Sequence, residues 1–200
     1  MAFVVWNILD MLELSDEGSV KAMLSDFSCN KEIEGKFVNL NPDIEHFIKV
    51  NAIQFAREKK SITYIVGDEE DGAVLGYFTI AHKSVDVPVV GLSNTTIKRM
   101  KRFAELNEET GSFPVSGFLI AQFGKNYAVD GGKRITGDEL MALAQGELLD
   151  AQHRIGGGII YLDCLGDAQL ISFYEKSGFK LFGARVSKDG TNYLQYMKFF

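Results

Sequence analysis

Apolar residues recur along this chain at two spacings, and the element changes where the spacing does. In "NPDIEHFIKVNAIQFAREKKS", positions 41–61, Ile44, Phe47, Ile48 and Phe55 fall at roughly helical spacing, which predicts an amphipathic helix. "SITYIVGDEEDGAVLGYFTIAHKSVDV" reads instead as two apolar runs around an acidic Asp-Gly turn, the pattern of an antiparallel hairpin. "NTTIKRMKRFAELNEETGSFP" predicts a second helix, ended by Gly111 and Pro114. The apolar strand "GFLIAQF" comes next. A glycine-rich loop, "GKNYAVDGGKRITG", then leads into a helix, "DELMALAQGELLDAQHR", and a second apolar strand, "GIIYLDC". A strand, loop, helix, strand unit of this kind joins two parallel strands. The fold class is mixed α and β, and no repeat or low-complexity linker divides the chain, which reads as a single domain over 1–200.

The ends of the later helices are well specified. Thr136 with Glu139 three residues on is a capping box, and Leu140, Leu143, Ala144 and Leu148 form the buried stripe. Backbone amides of the first turn are left free to meet an anion, and Lys133 and Arg134 stand just before it. Asp138 and Glu139 in that turn oppose a phosphate while stabilising the helix themselves. An ordinary capped loop therefore explains the spacing as well as a phosphate site does. Farther along, Asp167 caps a short helix with Leu170, Phe173 and Tyr174 on one side, and Gly178 gives it a left-handed stop against which Phe179 folds back. This helix follows the second parallel strand, at whose carboxyl end ligands bind in such sheets. Taken alone, a tyrosine there is most often a packed aromatic with its hydroxyl bonded to a carbonyl.

Composition narrows the function classes. The 200 residues are 46% hydrophobic and 24% charged, enough for a sizeable core. A net charge of -6 disfavours a broad nucleic-acid surface, although Lys98, Arg99, Lys101 and Arg102 make a local basic run. Such a run is more often a solvated helix face. Cys29 and Cys164 show neither a C-x-x-C pair nor metal-ligand spacing, so they read as free thiols in a reducing compartment and no metal is expected. "MAFVVWNILDMLEL" lacks a basic leader and is interrupted by Asp10 and Glu13. The expectation is a soluble, cytoplasmic protein without a membrane partner, and a homodimer stays open.

Strand, glycine-rich loop, helix, apolar strand and then "FYEKSGFKLFG", in order over residues 117 to 183, resemble the acyl-CoA-binding half of the GNAT superfamily of N-acetyltransferases. "FSCNKE" followed by "PDIEHFIKVNAIQFAREKKSITYIVGDEEDGAVLGYFTIA" is similar to the branch that contains the aminoacyl-tRNA-acetylating toxins. The resemblance implies the GNAT acyl-CoA N-acyltransferase fold: a central, mostly antiparallel sheet with one parallel strand pair, flanked by helices. It implies acetyl-CoA as co-substrate, with the pantetheine arm along the main chain of Phe123 and Lys125. The family's pyrophosphate loop, aligned on Gly137, falls on the window from Gly132 through Lys133, Arg134 and Thr136, with the amide of Asp138 beyond it. This chain departs from the pattern there: Gly132 replaces a polar first residue and Ile135 a glycine. Tyr174 falls on the family's general acid, the phenol that protonates the departing thiolate.

Amine attack on a thioester needs a neutral amine, a donor for the developing oxyanion and a proton for sulfur. Main-chain amides near Ala121 and Gln122 are the candidate oxyanion donors. No Asp or Glu lies on "GFLIAQF", so no general base is assigned. His82 and His153 read as solvated or helix-terminal residues, and Cys164 as a structural thiol. The leading expectation is an N-acetyltransferase moving an acetyl group from acetyl-CoA to a primary amine of a small molecule or protein. The alternatives are a toxin-type enzyme acting on the amino group of aminoacyl-tRNA, with tRNA then the one nucleic-acid partner, and a non-catalytic acyl-CoA-binding interaction module.

Overall fold

The computed structural model describes residues 2–200. In chain order the elements are β1 (Phe3–Asn7), α1 (Ile8–Leu14), α2 (Glu17–Ser25), β2 (Asn30–Ile33), β3 (Lys36–Asn39), α3 (Pro42–His46), a π-helical turn (Phe47–Asn51) and α4 (Ala52–Arg57). There follow β4 (Ile62–Asp68), β5 (Val74–Pro88), α5 (Asn94–Met100), β6 (Ser112–Lys125), α6 (Gly137–Ile155), β7 (Ile159–Cys164), α7 (Ala168–Lys176), β8 (Lys180–Val186) and β9 (Asn192–Phe199). Seven strands form one sheet in the order β1-β4-β5-β6-β7-β9-β8, while β2 and β3 make a separate hairpin. The β6–β7 pair is parallel, with Phe118 opposite Ile160 and Leu119 opposite Tyr161. β1–β4, β4–β5, β7–β9 and β8–β9 are antiparallel. The mixed sheet with a parallel pair and surrounding helices is the expected fold class.

Two compact units can be separated: the chain up to Ala81 with Ala121–Gly146, and His82–Ile120 with Glu147–Phe200. In the first, Ile8, Leu24, Phe27, Ile48, Ile53 and Tyr77 are buried together. Tyr77 packs edge-on to Phe27 and donates its hydroxyl to the Ile44 carbonyl at 2.7 Å. A second cluster, Val66, Leu75, Phe78, Ile135, Leu140 and Ala144, fixes the start of α6 against β4 and β5. Gly76 permits that approach, since a Cβ there would sit 3.0 Å from the Gly124 carbonyl and 3.2 Å from Leu140. In the second unit Val87, Met100, Phe113, Ile159, Tyr161 and Met197 form the core.

The structure alters two expected elements. The helix foreseen over 94–114 ends at Met100, and Asn107 turns the chain instead, its side chain accepting from the amides of Glu109 and Thr110. Pro114 lies inside β6, exposed between buried Phe113 and Val115. That alternation belongs to a strand, but the missing amide of proline reads locally as a stop. The helix over 41–61 is broken by the π turn, which adds a residue to one turn, and it stops at Arg57.

Both thiols are free and buried. Burial, reinforced by Glu45, pushes Cys29 up to about 12. A group whose folded value lies above its unfolded one, about 8.5 for a thiol, contributes stability that is complete below that value and is lost as pH climbs toward 12. Cys29→Ala should therefore flatten the alkaline loss of stability in denaturant titrations between pH 8 and pH 11. In the native protein iodoacetamide should label neither thiol readily at pH 8, and both should react in denaturant.

Candidate functional site

In the first unit the expected residues converge on the approach to α6. Thr136 caps the helix as its sequence predicts: its amide and hydroxyl both donate to Glu139 Oε2 at 2.7 Å, and its Oγ1 accepts from the Glu139 amide at 3.1 Å. Glu139 is thereby committed to the cap, which holds its carboxyl below the usual carboxylate range. The Leu140 amide returns to the Thr136 carbonyl at 3.1 Å. The first-turn amides of Gly137 and Asp138 take no partner among the described residues. They are the free donors that a helix start offers an anion.

The loop before the cap is a tight left-handed turn, with φ of 48° at Asp130, 62° at Gly131 and 71° at Gly132. Gly132 is required twice, since a Cβ there would also come within 2.9 Å of the Tyr127 ring. Lys133 is exposed, and its ammonium has no partner among the described residues. Arg134 departs from the expected role. Its guanidinium forks onto Asp71, at 2.9 and 3.0 Å, and pairs with the buried carboxylate of Asp68. Asp68 is held below its ordinary range first by the Glu70 amide and then by Arg134, and Asp71 first by Arg134. The acidic turn "GDEEDG", read from sequence as a hairpin turn alone, is thus the counter-charge that closes the loop. Ala121, Gln122, Phe123 and Lys125 lie half-buried at the end of β6, with Phe123 packed on the cluster beneath α6.

In the second unit α7 follows β7 directly. Asp167 caps it, accepting from the amides of Gln169 at 2.9 Å and Leu170 at 3.0 Å. Gly178, with φ of 90°, ends it, and the Phe179 amide closes back onto the Tyr174 carbonyl at 3.0 Å. Tyr174 is buried, with its ring edge-on to Phe173 and Phe179. Its hydroxyl makes no hydrogen bond among the described residues, whose fully buried, unpartnered side-chain polar atom is Ser61 Oγ. The ring is thus held by packing. Burial, and secondarily Cys164, drives the phenol well above its usual value, so it carries its proton at neutral pH.

At the end of β7, Asp163 accepts from Arg185 Nε at 2.7 Å and from Gln195 Nε2 at 3.1 Å. Sequence reading left Asp163 without a role because its partners lie on β8 and β9, far along the chain. His82 is exposed against Ser116, and His153 is exposed in the last turn of α6. No group of three or more His, Cys, Asp or Glu among the described residues could hold a metal ion, and no helix among them is long and apolar enough to cross a membrane.

No family model matches this sequence, and no curated protein matches it. Solved structures do. A bacterial toxin is 15% identical with a TM-score of 0.64, over 99% of this chain and 90% of that one. AtaT complexed with acetyl-methionyl-tRNAfMet is 14% identical with a TM-score of 0.57, over 96% and 94%. AtaTR bound with AcCoA is 15% identical with a TM-score of 0.53, over 96% and 91%. The chain has the fold of these toxins.

The ion pairs separate the roles of Lys133 and Arg134. Arg134→Met strands the Asp68 carboxylate and should lower the Tm at pH 7. Because the lowered carboxylates give stability above their unfolded values that is lost on acidification, the variant should also lose less stability below pH 4. Lys133→Ala should leave the Tm unchanged. Thermal melts of both variants from pH 3 to pH 8 read the difference.

Proposed function

We propose that the chain transfers the acetyl group of acetyl-CoA to an amine, and that the amine is the amino group of an aminoacyl-tRNA. The observation that carries the reading is Tyr174: a packed phenol on the short helix after β7, whose hydroxyl has no hydrogen-bond partner among the described residues. The ring is anchored by Phe173 and Phe179, and no hydrogen bond among the described residues holds the hydroxyl. Supporting the cofactor are the free amides of Gly137 and Asp138 and the exposed ammonium of Lys133, a donor set suited to a pyrophosphate. Bound acetyl-CoA would supply a thioester carbon for the amine to attack and a sulfur to leave.

The residues of this chain would then do three things. Main-chain groups from Ala121 to Lys125 hold the arm in extended form, as a strand pairs with a neighbour. Amides near Ala121 and Gln122 donate to the oxygen that gains charge as the amine adds. Tyr174 gives its hydroxyl proton to sulfur as the carbon–sulfur bond breaks, and the proton lost by the amine passes to solvent. With the phenol raised, the acid stays protonated through pH 9, so transfer should not fall with rising pH in that range for want of it.

The choice of acceptor rests on the shared fold with AtaT, solved with acetyl-methionyl-tRNAfMet, and on the exposed cations Lys98, Lys101 and Arg102 of the α5 region. Arg99 belongs to the fold instead, lying 3.9 Å from the Phe199 ring centroid and donating to the Phe200 carbonyl at 3.2 Å. The net charge of -6 favours a second reading, transfer to a small amine, since neutralising phosphates drives tRNA binding.

Tyr174→Phe keeps the ring and helix and removes one hydroxyl. Single-turnover acetyl transfer should fall by about a hundredfold or more while acetyl-CoA affinity changes little. An unchanged rate would return Tyr174 to a packing role.

A further inference from the structure

We infer that Lys31 on the β2–β3 hairpin and Lys125 at the end of β6 form a second grip on phosphate, acting from across Tyr127 on the phosphates of the bound acyl-CoA. This inference rests on the cofactor reading above. Lys31 Nζ lies 5.9 Å from the Tyr127 ring centroid and Lys125 Nζ 5.7 Å from the same point. Neither ammonium has a carboxylate partner among the described residues. Lys125 is half-buried, and its value is lowered first by that burial and then by Lys31. The nearby acid, Glu139, is already committed to the Thr136 cap.

Two like charges brought to one ring, one of them partly desolvated, repel each other, and exposed cation–π contacts return little. A doubly charged anion bound by both would offset that cost. The arrangement is held rather than incidental. The base of the hairpin is clipped to the loop, with the Tyr127 amide donating to the Ser28 carbonyl at 2.7 Å and the Ser28 amide donating to Asn126 Oδ1 at 2.9 Å. The Asn126 side chain in turn donates to the Val74 carbonyl at 2.8 Å. One side of the Tyr127 ring lies against Gly132, and β2 runs beside the Asp130–Gly132 turn. The two cations therefore stand beside the left-handed turn that leads to the free amides of α6.

The test compares acetyl-CoA with S-acetylpantetheine, which lacks the phosphates, by calorimetry on the full chain. Lys31→Ala should raise the Kd for acetyl-CoA by about tenfold, as expected for one lost charge-assisted contact, and leave that for S-acetylpantetheine unchanged. Lys31→Arg should restore acetyl-CoA binding, and Lys31→Glu should weaken it further. Lys31 is exposed, so the Tm without ligand should not move and misfolding will not mimic the effect. Tight wild-type binding of acetyl-CoA that Lys31→Ala leaves intact would overturn this inference alone, and so would an intact acetyl-CoA Kd with weakened tRNA binding. No acetyl-CoA binding by the wild type would overturn the cofactor reading itself.

Discussion

The first turn of α6 is the constraint on which the candidate site residues of the first unit depend. A helix start leaves amides without partners, and this one satisfies itself only in part: Glu139 and Thr136 serve each other, and the amides of Gly137 and Asp138 take no partner among the described residues. The position of that turn is set from both sides. Leu140 and Ala144 bury beneath it, which needs glycine at position 76, and Arg134 ties the preceding loop to Asp68 and Asp71. Of the two acids in that turn, the Glu139 carboxylate is turned onto the Thr136 cap, while Asp138 stays exposed.

In the second unit Tyr174 is placed by a different logic. Packing on Phe173 and Phe179 and the closed left-handed stop at Gly178 fix the ring of Tyr174, and fixing the ring fixes the hydroxyl with no hydrogen bond to it among the described residues. Burial also raises the phenol, so the hydroxyl keeps its proton near neutral pH, as the proposed role of acid requires.

Local signals were legible in the sequence. The Thr136 and Glu139 box, the Asp167 cap, the Gly178 stop and the parallel crossover follow from spacing within a few residues. The partners of Arg134 were not, because Asp68 and Asp71 lie more than sixty positions away and their acidic run serves equally as a hairpin turn. Lys31 was invisible for the same reason, brought to Tyr127 by a hairpin with too few apolar positions to announce itself. Pro114 concealed the start of β6. The N-terminal strand β1 and the β8–β9 pair lacked clear turn-bounded alternation, and only pairing within the sheet defines them.

The central claim, acetyl transfer to a charged tRNA, is most directly tested on the acceptor itself. Purified protein would be incubated with acetyl-CoA and a mixture of aminoacylated and deacylated tRNA, and the amino acids released from the tRNA would be weighed by mass spectrometry. N-acetylated amino acids are expected from the charged tRNA, and no acetyl group on tRNA that was never charged. Unmodified amino acids throughout, from protein shown to bind acetyl-CoA, would contradict it.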